Sequence, residues 1–227
     1  MMLVCPLCNS VGKNFKTIPG PLNRRYYQCS RCRLIFVHPE SLPSAIEEKE
    51  RYTEHENDPD SSGYIAFLNR AVHPALSWLK PGMKGLDYGS GPCPALSGVL
   101  QKEGIKCFNY DPLFGPPLAN GPFDFIFATE TFEHFHDPRA ETERISRLLK
   151  PGGILIVMTL FYNLSQGLDN WVYARDRTHV MFYDLPVFEY ICQKWNFELL
   201  WHDGERVIVL RKRIEKQNNL LSACERI

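Results

Sequence analysis

Four cysteines near the amino terminus have the spacing of a metal site. Cys5 and Cys8 form one C-x-x-C pair, and Cys29 and Cys32 form a second pair after twenty intervening residues. Each pair can turn its two thiolates towards one ion, and four thiolates complete the tetrahedral shell that zinc prefers. Because four protein ligands leave no open coordination position, the spacing predicts a structural zinc ion. A redox pair or disulfides would be the alternative use of these thiols.

A second chemical pattern places glycines between two acids in the segment 85–111. Asp87 ends an apolar run, the turn Gly89-Ser90-Gly91 follows, and after a short helical pattern a second strand-like run ends at Asp111. This order of strand, glycine turn, helix and strand predicts a nucleotide-binding βαβ unit, in which Asp111 can accept hydrogen bonds from two ribose hydroxyls. The third glycine of the dinucleotide fingerprint is missing. A tight turn without a ligand is the alternative.

Further strands and a capped helix must position these residues. Strands are expected at 123–129, 154–160, 197–201 and 206–210, the last two as a closing antiparallel pair. Asp137 and Pro138 predict the start of a helix between the first two of them, and KPGG at 150–153 predicts its end. The pattern indicates an α/β protein with a doubly wound sheet.

These motifs, in this order, resemble the class I S-adenosylmethionine-dependent methyltransferases. D-x-G-x-G at 87–91 with an acid at Asp111 is similar to their cofactor turn, and FDFIF, EHF-x-DP and LLKPGG within 83–159 resemble enzymes of the ubiquinone and small-molecule type. The cysteine pairs and the run W-x-Y-x-x-D-x-T-H at 171–179 resemble some small bacterial members with a four-cysteine ribbon. The resemblance implies S-adenosylmethionine as cofactor and a Rossmann-like sheet preceded by a small zinc ribbon.

Cofactor residues follow from this resemblance and from the rule that ligands bind outside the carboxyl ends of parallel strands. The expected set is Tyr64, Asp87, Gly89, Ser90, Gly91, Asp111, Pro112 and Glu130. Tyr64 belongs to the segment before the first strand, which often forms part of a lid in the resembled class. His55 and Asn57 are expected in the same lid. A packed tyrosine beside a solvated loop is the alternative for this segment.

Three residues are candidates for catalysis on the acceptor side. Glu133 and His134 follow the tip of the strand at 123–129 and could position the acceptor or take its proton. His179 lies in the expected substrate loop 161–183 and is the second candidate base. A base is needed only where the acceptor's nucleophile carries a proton. Structural roles for the two histidines are the alternative.

One strand of the usual methyltransferase sheet is expected to be shortened or missing. The link between Asp111 and the strand at 123 is short and rich in proline. A parallel crossover needs a dozen or more residues and usually a helix. The acid that commonly lies near the adenine in the resembled class therefore has no visible equivalent.

The bulk properties are those of an ordinary globular protein. The chain has 227 residues and a formal net charge of zero, which argues against a nucleic-acid binder that uses its whole surface. The segment 1–39 has basic residues and no acid, whereas 40–60 is mainly acidic. No secretory signal or membrane span is visible, so the eight cysteines predict metal ligands and buried thiols in the cytoplasm. The expected division is 1–39 zinc ribbon, 40–80 linker and lid helices, 81–213 methyltransferase domain and 214–227 polar tail.

Three hypotheses about function follow. The leading one is a methyltransferase that uses S-adenosylmethionine and acts on a small molecule or a sugar-like metabolite. The second makes RNA the acceptor and the basic ribbon, with Arg24 and Arg25, its docking surface; it resembles ribosomal-RNA guanine methyltransferases with a zinc module. The third is a non-catalytic protein that binds S-adenosylmethionine, because a missing strand could disable turnover. The methylated atom and the oligomeric state stay open.

Overall fold

The strands of the protein form two sheets. A computed structural model describes residues 2–54 and 61–214, so the expected lid residues His55 and Asn57 and nearly all of the expected tail lie outside the described residues. The small sheet contains β1 (Phe15–Ile18), β2 (Tyr26–Cys29), β3 (Ile35–Val37) and β8 (Met181–Phe182). The large sheet contains β4 (Lys84–Tyr88), β5 (Lys106–Tyr110), β6 (Phe123–Thr129), β7 (Leu149–Met158), β9 (Phe197–His202) and β10 (Val207–Lys212).

Helices lie before and between these strands. They are α1 (Ala45–Glu54), α2 (Ser62–Ala75), α3 (Leu96–Lys102), α4 (Pro138–Leu148) and α5 (Leu185–Lys194). The predicted cap of α4 is confirmed, because the Asp137 carboxylate accepts a hydrogen bond from the Ala140 amide and Pro138 begins the helix. Asp184 caps α5 in the same way. No helix of the described ranges is long and apolar enough to cross a membrane.

The large sheet has the strand order β5-β4-β6-β7-β10-β9. β4 pairs in parallel with β5 and β6, and β6 pairs in parallel with β7. β10 runs antiparallel to both β7 and β9, which confirms the predicted closing pair. β5 lies at the edge, and residues 111–122 add no strand beyond it. The predicted loss of the third strand is therefore confirmed, since this link is too short for another crossover.

Two apolar cores cover the two faces of the large sheet. Alternate side chains of a strand point to opposite faces, so Ile126 and Ala128 of β6 enter one core while Phe125 and Phe127 enter the other. Helices α4 and α5 contribute to the first core, and α2 and α3 to the second. Burial on both faces explains the nearly continuous apolar sequence of the central strands. The doubly wound α/β architecture is confirmed.

The start of β7 differs from the prediction. The sequence suggested that KPGG at 150–153 separates a helix from a strand that begins at Ile154. In the structure α4 ends at Leu148 and β7 begins at Leu149. The pairing of β7 with β6 is irregular, because the register shifts between Phe123 and Phe125 of β6. The glycine-containing turn is thus accommodated inside the strand, because the neighbouring β6 offers hydrogen bonds on both sides of it.

The small sheet connects the cysteine-rich segment to the rest of the chain. β3 pairs antiparallel with β8, which belongs to the carboxyl-terminal half of the protein. Beside this pairing the Val37 amide donates to the Val180 carbonyl at 2.9 Å. The Gln28 side-chain amide donates to the Tyr162 hydroxyl, also at 2.9 Å. The expected division at residue 39 stays a prediction, and hydrogen bonds cross it.

Candidate functional site

The turn after β4 brings backbone atoms to the carboxyl ends of the parallel strands. Gly89 has φ of 83° and Gly91 has φ of 68°, a left-handed conformation that glycine adopts without strain. A Cβ atom on Gly89 would lie 2.4 Å from the Thr131 side chain. The Gly89 and Ser90 amides donate to the Tyr110 carbonyl at 2.8 and 3.0 Å, which holds the turn against the end of β5. Only glycine therefore allows this close approach at position 89.

Asp111 lies beside this turn, directly after β5. One carboxylate oxygen accepts from the Gly91 amide at 3.0 Å. The other oxygen accepts from the Leu113 and Phe114 amides at 2.8 and 3.1 Å. These bonds fix the orientation of the carboxylate, and further lone pairs can still accept hydrogen bonds from a ligand. Its expected role in ribose binding stays a prediction.

Three buried polar atoms around the turn have no hydrogen-bond partner among the described residues: Asp87 Oδ1, Ser90 Oγ and Asn109 Oδ1. Buried polar atoms are normally paired, so this set indicates room for a polar ligand. Burial raises the pKa of Asp87 to about 7, and the nearby Asp111 charge adds to the shift. A ligand that donates hydrogen bonds would satisfy the unpaired oxygens, and a positive charge on it would stabilise the ionised form of Asp87.

A cavity of about 420 Å³ opens between the glycine turn and the link after β5. Ser90 and Gly91 line one side, Phe114 and Pro116 line the other, and Asn109 supplies a polar group. The cavity lies where the third strand of the sheet is missing. A lining of prolines and aromatic side chains with a few polar groups suits a planar heteroaromatic ring.

The expected lid residue Tyr64 projects from α2 towards the same end of the sheet. Burial raises its pKa to about 12, and the charges of Asp87 and Glu130 contribute to the shift. Tyr64 therefore lies within electrostatic reach of both acids. Pro112 follows Asp111 in the link that borders the cavity. The participation of either residue in ligand binding stays a prediction.

Glu130 follows β6 and adopts a left-handed backbone conformation with φ of 49°. The Tyr173 hydroxyl donates to one carboxylate oxygen at 3.2 Å and lies 3.2 Å from the Thr159 hydroxyl. The other oxygen is 3.9 Å from the Arg206 guanidinium. Burial raises the pKa of Glu130 to about 8, and the neighbouring Glu133 adds to the shift. This network links the ends of β6 and β7 to the expected substrate loop.

Glu133 is an acid with no solvent exposure, in the 3-10 turn Phe132–His134. Neither of its carboxylate oxygens has a well-oriented hydrogen bond among the described residues. Burial raises its pKa to about 7, and the nearby Tyr173 and Thr159 hydroxyls partly offset the shift. Its backbone carbonyl accepts from the Val180 amide at 2.8 Å. A hydrogen bond therefore fixes the backbone of Glu133, whereas its buried carboxylate has no well-oriented hydrogen-bond donor among the described residues.

His134 and His179 meet beside Glu133. Their ring centroids are 4.8 Å apart, and His134 Nε2 is 4.0 Å from a Glu133 oxygen. His134 Nδ1 lies 2.9 Å from the Thr178 carbonyl, and His179 Nδ1 lies 2.7 Å from the Tyr173 carbonyl. Burial lowers the pKa of both imidazoles, that of His179 to about 3. The structure thus brings the three expected catalytic residues together, as two imidazoles beside a carboxyl group.

Tyr52 is a site residue that sequence reasoning did not single out. Its ring, on α1, packs edge to face on His134 with centroids 5.1 Å apart. It also packs against Phe114, which lines the cavity, at 6.3 Å. Tyr52 therefore stands between the cavity and the histidines. An aromatic residue in an acidic helix was its sequence signal, and only packing could show which neighbours it has.

The amino-terminal ribbon holds the expected substrate loop. The Arg24 guanidinium donates to the carbonyls of Ala174, Asp176 and Arg177 at 3.0, 3.3 and 2.9 Å. A groove of about 720 Å³ lies beside this contact, between the ribbon, α1 and the loop, with Thr178 in its wall. The loop that carries His179 is thus anchored to the segment that carries the cysteines.

The two arginines expected to dock RNA have partners within the protein. Arg24 makes the loop contacts described above. Arg25 forms an ion pair with Glu40 and a 3.0 Å contact with His38 Nδ1. Side chains that already bind carbonyls and a carboxylate do not favour a nucleic-acid surface at this position.

The four cysteines converge into one buried cluster. Cys5 Sγ lies 3.5 Å from Cys32 Sγ, and Cys8 Sγ lies 3.5 Å from Cys29 Sγ. All four sulfur atoms lie within 4.8 Å of one another. Tetrahedral zinc with Zn–S bonds of about 2.3 Å separates its sulfur ligands by roughly 3.8 Å. The donor set and its dimensions therefore fit a zinc ion.

Comparison with known protein families identifies the main part of the chain. A family model described as a methyltransferase domain matches residues 61–202. A ubiquinone biosynthesis O-methyltransferase of Caulobacter vibrioides is 36% identical over 77 residues, which are 34% of this chain and 24% of the relative. The curated relatives are matched over 23% to 36% of their own lengths.

Solved structures share the fold at low sequence identity. The 1,6-didemethyltoxoflavin-N1-methyltransferase of Burkholderia thailandensis, solved with 1,6-didemethyltoxoflavin and S-adenosylhomocysteine, has a TM-score of 0.56 and 14% identity, over 88% of this chain and all of that one. The [4+2]-cyclase SpnF has a TM-score of 0.51 and 16% identity, over 76% of this chain and 97% of that one. The chain therefore belongs to the methyltransferase-domain family and has the class I methyltransferase fold, with a four-cysteine cluster near its amino terminus.

Proposed function

We propose that the protein transfers a methyl group from S-adenosylmethionine to a small-molecule acceptor. One observation carries the proposal: a glycine turn between two acids and a buried Glu-His-His cluster lie at the same edge of the large sheet. The first arrangement suits the cofactor and the second suits the acceptor. The O-methyltransferase relatives and the relative solved with S-adenosylhomocysteine support this assignment.

The cofactor would occupy the turn and the cavity beside β5. Asp111 would accept hydrogen bonds from the two ribose hydroxyls, while Gly89 and Gly91 would let the backbone approach the ligand. Asp87 and Ser90 would pair with the amino-acid end, because their buried oxygens lack partners. The bound cofactor supplies a methyl group on a sulfonium, and Tyr64, Pro112 and Glu130 would border it.

The adenine would lie in the cavity of about 420 Å³. In this protein the ring would stack against Phe114 and the proline-rich link, and Asn109 would supply a hydrogen bond. This arrangement would replace contacts that a third strand makes in a full doubly wound sheet. The unpaired Asn109 Oδ1 supports the proposal, because an amino group can donate to it.

The acceptor would bind against Glu133, His134 and His179. In methyl transfer the acceptor's lone pair attacks the methyl carbon while the carbon–sulfur bond breaks, so alignment is most of the catalysis. When the nucleophile is a hydroxyl, its proton must also leave. Glu133 and the two imidazoles would hold that group and assist loss of the proton.

The acceptor is best matched by a small polar molecule such as a sugar-like metabolite. The substrate loop is covered by the ribbon, and the groove of about 720 Å³ beside it has the size of a small-molecule pocket. An RNA acceptor is less well supported, because the Arg24 and Arg25 side chains already bind carbonyl and carboxylate groups of the protein. A purely cofactor-binding role would leave the buried acceptor-side cluster without a function.

Zinc in the four-cysteine cluster would be structural. The cluster has four thiolates and no open position for a substrate. The ribbon strands have only three or four residues each, so a metal would supply much of their folding free energy. Through β3 and Arg24 the ion would also support the loop that carries His179.

Calorimetry with S-adenosylmethionine and S-adenosylhomocysteine tests the cofactor assignment directly. We expect saturable binding of both, and no binding at millimolar ligand would refute it. For the acceptor, labelled cofactor is incubated with separated small-molecule and RNA fractions of a cell extract. We expect label in the small-molecule fraction, and label confined to RNA would overturn the acceptor class.

A further inference from the structure

We propose that Glu133, His134 and His179 bind a divalent transition-metal ion at the acceptor side of the site. This cluster is separate from the four cysteines. Each residue offers one ligand atom, and these three atoms lie within 4.8 Å of one another. The presence of an ion follows from the local geometry alone, whereas its chemical role rests on the proposed methyl transfer.

Both imidazoles are oriented as metal ligands are. Each Nδ1 contacts a backbone carbonyl, Thr178 for His134 and Tyr173 for His179, at 2.9 and 2.7 Å. A carbonyl can only accept a hydrogen bond, so each Nδ1 carries the hydrogen and each Nε2 keeps its lone pair. Metal-binding histidines are oriented in the same way: the ring nitrogen that does not bind the metal donates its N–H to a carbonyl or carboxylate.

The Glu133 carboxylate supplies an acidic ligand whose hydrogen-bonding capacity is unused. Both Glu133 oxygens and one Glu130 oxygen are buried without a well-oriented hydrogen bond among the described residues. Glu130 differs, because the Tyr173 hydroxyl donates to one of its oxygens and the Arg206 guanidinium lies 3.9 Å from the other. A buried carboxylate without a hydrogen-bond partner is unfavourable unless it is protonated or binds a cation. A divalent ion between Glu133 and the imidazoles would provide that cation, with Glu130 beside it.

Hydrogen bonds hold the two segments that carry the cluster. The Glu133 carbonyl accepts from the Val180 amide, which ties the two ligand-bearing segments together. The Thr178 amide and hydroxyl donate to the Asp176 carboxylate at 2.9 and 2.7 Å. Zn–N bonds of about 2.0 Å place ligand atoms roughly 3.3 Å apart, so binding requires side-chain movements of about 1 Å. Rotamer adjustments of this size leave the backbone unchanged.

The ligand types indicate the class of ion and its use. Two imidazoles and a carboxylate favour zinc, cobalt, iron or manganese over magnesium or calcium, which prefer all-oxygen sites. Three protein ligands leave a position open for a water or an acceptor oxygen. A hydroxyl bound there loses its proton to solvent more easily. Its oxygen then attacks the methyl carbon as the carbon–sulfur bond breaks, which yields S-adenosylhomocysteine and a methyl ether.

Metal counting on the full-length protein tests this inference. Protein whose cysteine cluster holds zinc is dialysed against micromolar Co²⁺, and both metals are measured by mass spectrometry. We expect one zinc and one cobalt per chain, with the absorption of an imidazole and carboxylate site and no new thiolate bands. Excess Mg²⁺ should not displace the cobalt. A zinc-loaded chain that takes up no cobalt, or whose cobalt Mg²⁺ displaces, would overturn the proposal.

Three variants locate the second ion. His179→Ala and Glu133→Gln should bind cobalt more than about 10-fold more weakly, with one zinc still present. His73→Ala, which removes an exposed histidine on α2, should bind both ions as the parent does. Circular dichroism and the zinc count show which variants are folded. If His179→Ala does not fold, the nearly isosteric Glu133→Gln decides, and undiminished cobalt binding in it would contradict the assignment.

The outcomes separate this inference from the proposed function. Cobalt binding is measured without cofactor or acceptor, so it can succeed where methyl transfer fails. If cofactor binds but cobalt does not, direct proton transfer to the Glu-His-His cluster remains as the mechanism. If cobalt binds but the cofactor does not, the metal site stands and the methyltransferase assignment falls.

Discussion

The four-cysteine cluster and the Glu133–His134–His179 cluster are assembled in different ways. Each C-x-x-C pair lies on one short turn, closed by local bonds such as Asn9 N to the Cys5 carbonyl and Arg33 N to the Cys29 carbonyl. Asn9 and Arg33 adopt the left-handed conformation that these turns require. Glu133 and His134 are also neighbours, but His179 comes from a separate loop. The first cluster is therefore visible as spacing in the sequence, and the second exists only after folding.

The two clusters are nevertheless connected through the small sheet. β3 follows the second cysteine pair, and it pairs with β8, which begins two residues after His179. Arg24, between the two cysteine pairs, binds three carbonyls of the same loop. We infer that order in the ribbon is needed for the position of His179, and the predictions below test how far this dependence extends.

The largest expected effect follows from breaking the cysteine cluster. Cys29→Ser should remove the bound zinc and unfold the ribbon, since structural zinc contributes on the order of 10 kcal/mol to small metal-dependent modules. Metal content and thermal unfolding measure the result. Cys93→Ser, which changes an exposed cysteine outside the cluster, should leave both unchanged. A Cys29→Ser protein with normal stability would show that the ribbon does not need the ion.

A change on the cofactor side should leave both clusters intact. Asp111→Ala removes a charged acceptor of two ribose hydroxyls, so we expect S-adenosylmethionine to bind roughly 10- to 100-fold more weakly. Calorimetry measures the dissociation constant, and metal analysis should show the parent's content. Asp169→Ala, at an exposed aspartate, is the matched control. Unchanged affinity in Asp111→Ala would refute the ribose assignment.

Buried acids of the large sheet should give the cofactor-free protein a pH-dependent stability that the cysteine cluster does not explain. The folded-state pKa of Asp87 is raised to about 7, so the folded protein holds a proton that the unfolded chain has released. Stability therefore falls as pH rises from about 4 to 7, and this cost is complete above pH 7. Asp87→Asn should remove it, gaining about 2 kcal/mol more at pH 8 than at pH 5.5. Urea unfolding at both values is the measurement, with Asp169→Asn as control. An equal gain at the two values would contradict the assignment.

The smallest expected effect concerns the link between the two clusters. Arg24→Ala removes three hydrogen bonds to the substrate loop, and we expect kcat to fall by roughly 3- to 10-fold because His179 is less well positioned. Cofactor affinity and zinc content should stay unchanged. Arg25→Ala, which removes a surface ion pair with Glu40 and a contact with His38, should have little effect on any of these quantities. Equal effects of the two substitutions would show that the loop contacts do not matter for catalysis.

Much of the fold was predictable because its signals are local. Strand and helix periodicity predicted β4 to β7, the closing pair and the capped start of α4. The missing third strand followed from chain length alone, because the link after Asp111 cannot span another crossover. The start of β7 was predicted wrongly. KPGG normally ends an element, but β6 pairs with Leu149 before these residues and with Ile154 after them, so they lie within the strand as an irregularity.

By itself, the sequence determined the cysteine cluster, the glycine turn with its two acids, and the order of the elements, since each depends on residues a few positions apart or on a short period. Only the tertiary structure decided that β8 joins the ribbon sheet, that Arg24 holds the substrate loop, and that His179 meets Glu133 and His134. These contacts join distant segments. They depend on the packing of two sheets and on the burial of charge. Neither produces a recognisable pattern of residue spacing in the sequence.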